Sequence, residues 1–131
     1  MDKVIVRQNR DFQFSMEARA GDEEELHHVT HIHELTPYTM MLASLGLCTG
    51  VVIHTYAHHH NVDVEVAEIT LTYHRKEKEG PGAAYEEWIV ETLHLEGDLS
   101  ESQRERLTHV GHQCSIRRML ESGIEVKSRT A

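Results

Sequence analysis

The segment from Pro37 to about His60 constrains the fold of this chain most. Thr36 is a good N-cap residue and Pro37 suits the first helical position. From there Met40, Met41, Leu42, Leu45, Leu47, Val51, Val52, Ile53 and Tyr56 predict a single helix. At ~1.5 Å per residue, about 24 residues make a rod of roughly 36 Å. That is longer than a small domain needs for itself. Its first two-thirds is apolar on nearly every face, which predicts burial. Gly46 and Gly50 each cost about 1 kcal/mol inside a helix. Close approach by another element is the expected compensation, and the same helix of a second subunit is one candidate.

Strands are expected on either side. Val4-Ile5-Val6 is a β-branched run, and Phe12, Phe14 and Met16 alternate with Gln13 and Ser15, the period of a half-buried strand. Leu26–Ile32 is a further candidate. After the helix come Val62–Lys76, with a change of phase near Ala67, and Tyr85–Leu95. The loop Glu79-Gly80-Pro81-Gly82 joins them as a hairpin. Ser100 caps a polar helix, Glu101 to about Gly111, with Leu107 and Val110 facing inward. Ile116, Met119 and Leu120 indicate a short helix ended by Gly123, and Glu125–Ser128 a last strand.

The chain has 131 residues, 39% hydrophobic and 5% aromatic. That length suits one domain spanning residues 1–131. So small an apolar share favours burial between subunits. The formal charge is -9, which argues against nucleic-acid backbones and anionic membrane surfaces as partners. Met1–Arg10 is polar and charged, without an apolar stretch of signal-peptide length. No segment is expected to meet the roughly 20 apolar residues of a membrane span. The cytoplasm is the expected location, and there a cysteine pair is more often reduced, catalytic or metal-binding than a static staple.

Chemistry concentrates on the two cysteines. Cys48 lies midway along the apolar helix, with Ser44, Leu45, Val51 and Val52 as helical neighbours. Burial alone raises a thiol pKa and makes it inert. A reactive Cys48 therefore needs a stabilising charge, and Arg7, Arg10 and Arg19 are the candidates, because no Lys or Arg lies between Arg19 and Arg75. The bland alternative is a small core residue. Cys114 precedes Ile116-Arg117-Arg118 at a helix junction, where a helix N-terminus and two guanidinium groups would lower its pKa. Twelve histidines are many for this length. His54 and His58 share a helix face, and His109 and His112 lie close to Cys114. Their spacings are compatible with metal ligands, but none forms a defined zinc motif. Phosphate-binding glycine loops, G-x-S-x-G and H-E-x-x-H are absent.

The run Thr36-Pro37-Tyr38-Thr39-Met40-Met41-Leu42-Ala43-Ser44-Leu45-Gly46-Leu47-Cys48-Thr49 resembles the central-helix motif of the OsmC/Ohr family. Cys114-Ser115-Ile116, followed by Arg117 to Ser122, resembles its second-cysteine motif. The order of elements fits over essentially the whole chain. The resemblance implies an α+β, OsmC-like fold, with antiparallel sheets around a long buried central helix in an intertwined homodimer. It implies a thiol peroxidase in which Cys48 attacks a hydroperoxide and becomes a sulfenic acid. Cys114 then closes a disulfide, which a dithiol reductant opens. No metal, flavin or haem is implied. Three departures stand out. The family's peroxidases carry a glutamate early in the long helix, paired with a catalytic arginine, where this chain has Tyr38 and Thr39; Glu34 is the nearest carboxylate. The family's arginine often follows a pair of glycines in the first hairpin, and the nearest match here is Arg10 in Gln8-Asn9-Arg10, without the glycines, with Arg19 as alternative. Ser115 replaces the proline of a Cys-Pro-Val motif. Two further readings remain beside the peroxidase: a small-molecule-binding module without enzymatic activity, and a metal site using Cys48, Cys114, His109 or His112.

Overall fold

A computed structural model describes residues 1–80, 82 and 84–131. Strands β1 (Lys3–Asn9), β2 (Phe14–Arg19) and β3 (His27–His28) precede helix α1 (Pro37–His60). Strands β4 (Val66–Glu77) and β5 (Tyr85–Glu96) and helices α2 (Glu101–Gly111) and α3 (Ser115–Ser122) follow. The strands form one antiparallel sheet in the order β3-β2-β1-β4-β5. With its long core helix this is the α+β class expected from the sequence. Pro81, in the expected hairpin loop, lies outside the described residues.

Alternation places Val4 and Val6 of β1 and Ala67, Ile69 and Leu71 of β4 on one face of the sheet, all fully buried. Against them α1 turns Leu42, Ile53 and a stripe of small residues. Thr36 and Thr39 close a reciprocal capping box at its start, which satisfies two backbone donors that no helical carbonyl can reach.

The glycines of α1 are explained by the sheet, not by a second helix. A Cβ on Gly46 would lie 2.8 Å from Leu71 Cδ1 and 3.0 Å from Val6 Cγ2, and one on Gly50 would lie 2.6 Å from Gln8 Oε1. Removing two Cβ atoms lets α1 settle directly onto β1 and β4. Burial is also one-sided. Met40 and Val51 on the opposite face, and Tyr38 at the start of the helix, are exposed, so the all-round burial expected from composition is not reached within one chain. By length and composition α1 could cross a membrane, contrary to the sequence expectation, although half of its most apolar window is buried against the rest of the chain.

The β1–β2 turn grips the end of α1. His54 Nε2 meets the Gln8 carbonyl at 2.7 Å, and His58 Nε2 meets the Arg10 carbonyl at 2.6 Å. A carbonyl can only accept, so both imidazoles donate through Nε2. Phe12 is in this turn at φ 62° and stacks on His58. The expected strand Phe12–Met16 therefore starts at Phe14, and of its three apolar residues only Met16 is buried. Leu26–Ile32 yields just the two-residue β3 and a 3₁₀ turn, Ile32–Glu34, because β2 offers pairing partners only to His27 and His28. β4 starts at Val66 rather than Val62. The expected strand Glu125–Ser128 does not form: the tail has no pairing partner among the described residues, and Ile124 and Val126 stay exposed.

Candidate active site

Helix α2 packs on α1, with Gly111 close enough that a Cβ there would touch Ile53 and Thr49. The chain then reverses and starts α3 beside Cys48. Cys114 is the N-cap of α3: it is fully buried, and its Sγ accepts from the Arg117 backbone N–H at 3.4 Å. Cys48 Sγ lies 3.8 Å from Ser115 Oγ, and both cysteines are free thiols. The structure thus brings the two cysteines together at one helix N-terminus.

Their environments differ. Burial pushes the Cys48 thiol up, but hydrogen bonds from the Cys114 thiol, the Ile116 backbone N–H and the Ser115 hydroxyl and backbone N–H outweigh it. The net shift is downward. Burial raises the Cys114 thiol, and hydrogen bonding to Cys48 and its charge raise it further, against weaker support from the Arg117 and Ile116 N–H groups. A sulfur facing the first N–H groups of a helix sits where an anion is favoured. The two thiols are thus shifted in opposite directions, Cys48 towards the thiolate and Cys114 away from it.

The arginines expected from the N-terminal strands are elsewhere in this chain. Arg10 pairs with Asp63 at 2.8 Å near the far end of α1. Arg19 donates to the Glu24 carbonyl, and Arg7 bridges Glu17 and Glu68 on the sheet. None of the three contributes to the downward shift at Cys48, whose causes are the thiol, hydroxyl and N–H donors around it. Glu34 is tied to Thr30 in the turn before α1.

Sequence reasoning missed Glu91. Its side chain is 7% exposed, accepts from Thr49 Oγ1 at 3.0 Å, and faces Arg117 Nη1 at 3.6 Å. Burial raises its pKa, opposed by the Thr49 hydrogen bond and by the nearby charges of Arg117 and His112. A signal was present: Ile89, Glu91, Leu93 and Leu95 fall on one strand face, and a lone carboxylate in that apolar series marks a partnered, buried charge.

A groove of about 730 Å³ opens beside this cluster, between α1, β5 and α3. Met41 and Leu45 of α1 line it. Cys48 is the next residue along that helical stripe, at i+3 from Leu45. Trp88 and Ile89 of β5 and Leu120 of α3 supply further apolar wall. A second, smaller cavity of about 190 Å³ lies between Arg10, His54, His58 and Asp63. Among the described residues, no three His, Cys, Asp or Glu side chains are placed to hold a metal ion. His109 bonds Gln113 rather than joining Cys114.

A long helix laid on an antiparallel sheet, with a free cysteine pair where a short helix begins beside it, defines a two-thiol α+β protein. The chain belongs to the OsmC-like protein family, whose sequence model matches residues 30–129. No curated protein sequence is significantly similar to it. Two solved structures share the fold. One is an OsmC-like hydroperoxide resistance protein from Jannaschia sp. CCS1, 13% identical, with a TM-score of 0.65 over 99% of this chain and 93% of that one. The other is described as an organic hydroperoxide resistance protein OsmC, predicted redox protein and regulator of sulfide bond formation, from Legionella pneumophila. It is 16% identical, with a TM-score of 0.51 over 97% of this chain and 93% of that one.

Proposed function

We propose that the protein is a two-cysteine hydroperoxide reductase working in the reducing cytoplasm, with residues 1–131 as one domain. The contrast between the thiols supports this reading most directly: Cys48 is lowered by donors at the start of α3, and Cys114 is raised by burial. The Cys48 thiolate attacks one peroxide oxygen. An S–O bond forms, the O–O bond breaks, and the leaving alkoxide takes a proton to become the alcohol. The Cys114 sulfur then attacks the Cys48 sulfenic acid, and its proton leaves with the hydroxyl as water. A dithiol reductant opens the resulting disulfide by exchange. The family and the hydroperoxide resistance roles in its neighbours' names agree with a peroxide-linked role.

A homodimer belongs to the same proposal. Met40 and Val51 are left exposed on the outer face of α1 and Tyr38 at its start, and a second copy would cover them. Light scattering should then return twice the chain mass.

The test of the chemistry counts thiols. Reduced protein treated with cumene hydroperoxide should lose both thiols and release one alcohol. Cys48→Ser should abolish consumption. Cys114→Ser should still react and leave a sulfenic acid that dimedone captures. Undiminished thiols in the wild type, or equal turnover by Cys48→Ser, would overturn the reading.

A further inference from the structure

We propose that Glu91 is a positioning residue for Cys48: by holding Arg117 it fixes the first turn of α3 against that thiol. This rests on the function proposed above only in taking Cys48 as the reactive thiol.

Helix α3 has little of its own to hold it. No residue from Ser115 to Ser122 is buried, and Ile116 packs only half-buried against the core. So short a helix is marginal without tertiary support. Yet the N–H groups and hydroxyl that reach Cys48 belong to its first two residues, Ser115 and Ile116, and hydrogen bonds weaken steeply with distance and angle. Arg117 is in the same turn. Its backbone N–H donates to Cys114 Sγ at 3.4 Å, and its Nη1 lies 3.6 Å from Glu91 Oε1 on β5. Glu91 in turn accepts at 3.0 Å from Thr49 Oγ1, and Thr49 is the buried residue after Cys48 on α1. Thr49, Glu91 and Arg117 therefore tie the helix that carries Cys48 to the helix that supplies its donors, by way of β5. Glu121, 2.9 Å from Arg117 Nε, belongs to α3 itself and cannot fix that helix to another element. His112, at the end of α2, also faces Glu91 but supplies none of the donors to Cys48. Glu87 lines the same groove and is bonded to Tyr73. A buried carboxylate costs stability unless it is paired and bonded. Such costs are tolerated where a site has to be held.

The readout is the pH dependence of iodoacetamide alkylation at Cys48, which needs no peroxide. A negative charge acting directly on the thiol disfavours the thiolate, so its removal would lower the Cys48 pKa. Removal of a residue acting through α3 raises it. Glu91→Gln should raise the Cys48 pKa by about half a unit or more, a loss of about threefold in thiolate below the pKa. Arg117→Gln keeps the backbone N–H and should do the same. The double variant should move the pKa no further than the larger single change, because both substitutions cut one link. Glu121→Gln should leave it in place. A Cys48 pKa unmoved or lowered in folded Glu91→Gln, single shifts that add in the double variant, or an equal shift from Glu121→Gln would each overturn the positioning. Should Glu91→Gln not fold, Arg117→Gln decides: its shift should persist at high salt, and one that vanishes there reports only a lost, screened cation and refutes the link. If the expected shifts appear while cumene hydroperoxide leaves the wild-type thiols intact, the peroxidase reading fails and the positioning stands.

Discussion

Replacing Ser115 with proline isolates what the start of α3 does for Cys48. Ser115 is the first residue of α3, following Cys114 as N-cap. Proline is well tolerated there, because its fixed φ suits the helix and its missing N–H has no intrahelical partner. Proline also disfavours helical backbone in the residue before it, and Cys114 is already extended, at φ -59° and ψ 138°. The helix should therefore survive. Cys48 loses two donors, the Ser115 hydroxyl and its backbone N–H. A hydrogen bond to a charged group contributes about 1.5–3 kcal/mol, but the 3.8 Å hydroxyl contact is long. Taking about half the lower figure for each gives about 1.5 kcal/mol in all, or about one pKa unit. Both donors favour the thiolate, so their removal moves the Cys48 pKa upward. Ser115→Ala, which removes the hydroxyl alone, should give roughly half the shift. The assay is the pH dependence of iodoacetamide alkylation at Cys48, resolved by peptide mass spectrometry, with circular dichroism to verify α3. An unmoved or lower Cys48 pKa in a folded Ser115→Pro protein would refute the assignment.

Gly46→Ala gains about 1 kcal/mol of helix propensity but drives a methyl into fully buried Val6 and Leu71. Overpacking costs about 1–3 kcal/mol and Val6 is stiff at χ1, so the net is a loss of about 1 kcal/mol, read as a lower Tm; a higher Tm would show that the approach is loose. Burial is the main cause that lowers the His54 pKa, so the folded state prefers neutral imidazole. Its contribution is complete above the unfolded value of about 6.5 and is lost as pH falls below it. Urea unfolding of His54→Gln should show a flatter pH profile in that window. Glu91 has the opposite sign: burial raises its carboxyl, so the ionised form weighs against folding as pH rises above its unfolded value. Glu91→Gln should leave stability at neutral pH unchanged or higher, and urea titration showing a large loss there would contradict this.

Local rules carried most of the fold. Thr36, Pro37 and the uninterrupted apolar run place α1 at the observed bounds, because capping and periodicity act within a few residues. Ser100 and Gly123 mark the start of α2 and the end of α3 for the same reason. The errors are those of partner choice. Gly46 and Gly50 signal close approach, but nothing local says whether a helix or a sheet does the approaching. Phe12 continues an alternating pattern and yet turns out of the strand, held at φ 62° against His58. Ile124 and Val126 have strand-forming side chains and no neighbouring strand among the described residues. At the candidate site, motif and spacing single out both cysteines. Glu91 was not singled out, because its significance depends on Thr49 and Arg117 arriving from two other elements.

The same geometry bears on the family features this chain lacks. In a Cys-Pro-Val motif the residue after the second cysteine offers neither an N–H nor a hydroxyl. A thiolate facing that helix start loses two donors, and a side-chain cation held by a carboxylate is one physical substitute. Here Ser115 supplies both donors, Tyr38 and Thr39 stand where the glutamate would be, and Arg10 is bound to Asp63 instead. On the proposed function these three departures are mutually consistent: backbone and hydroxyl dipoles would do the work that the family's peroxidases give to a guanidinium. Dipoles within a hydrogen bond's reach are screened by salt less than an exposed charge is. The Cys48 pKa should therefore change little between low and high salt, and Arg10→Ala should leave it where it is. A fall in Cys48 reactivity on Arg10→Ala, with the light-scattering mass unchanged, would mean that an arginine reaches the thiol after all, across the proposed dimer, and that the donors of α3 are not sufficient.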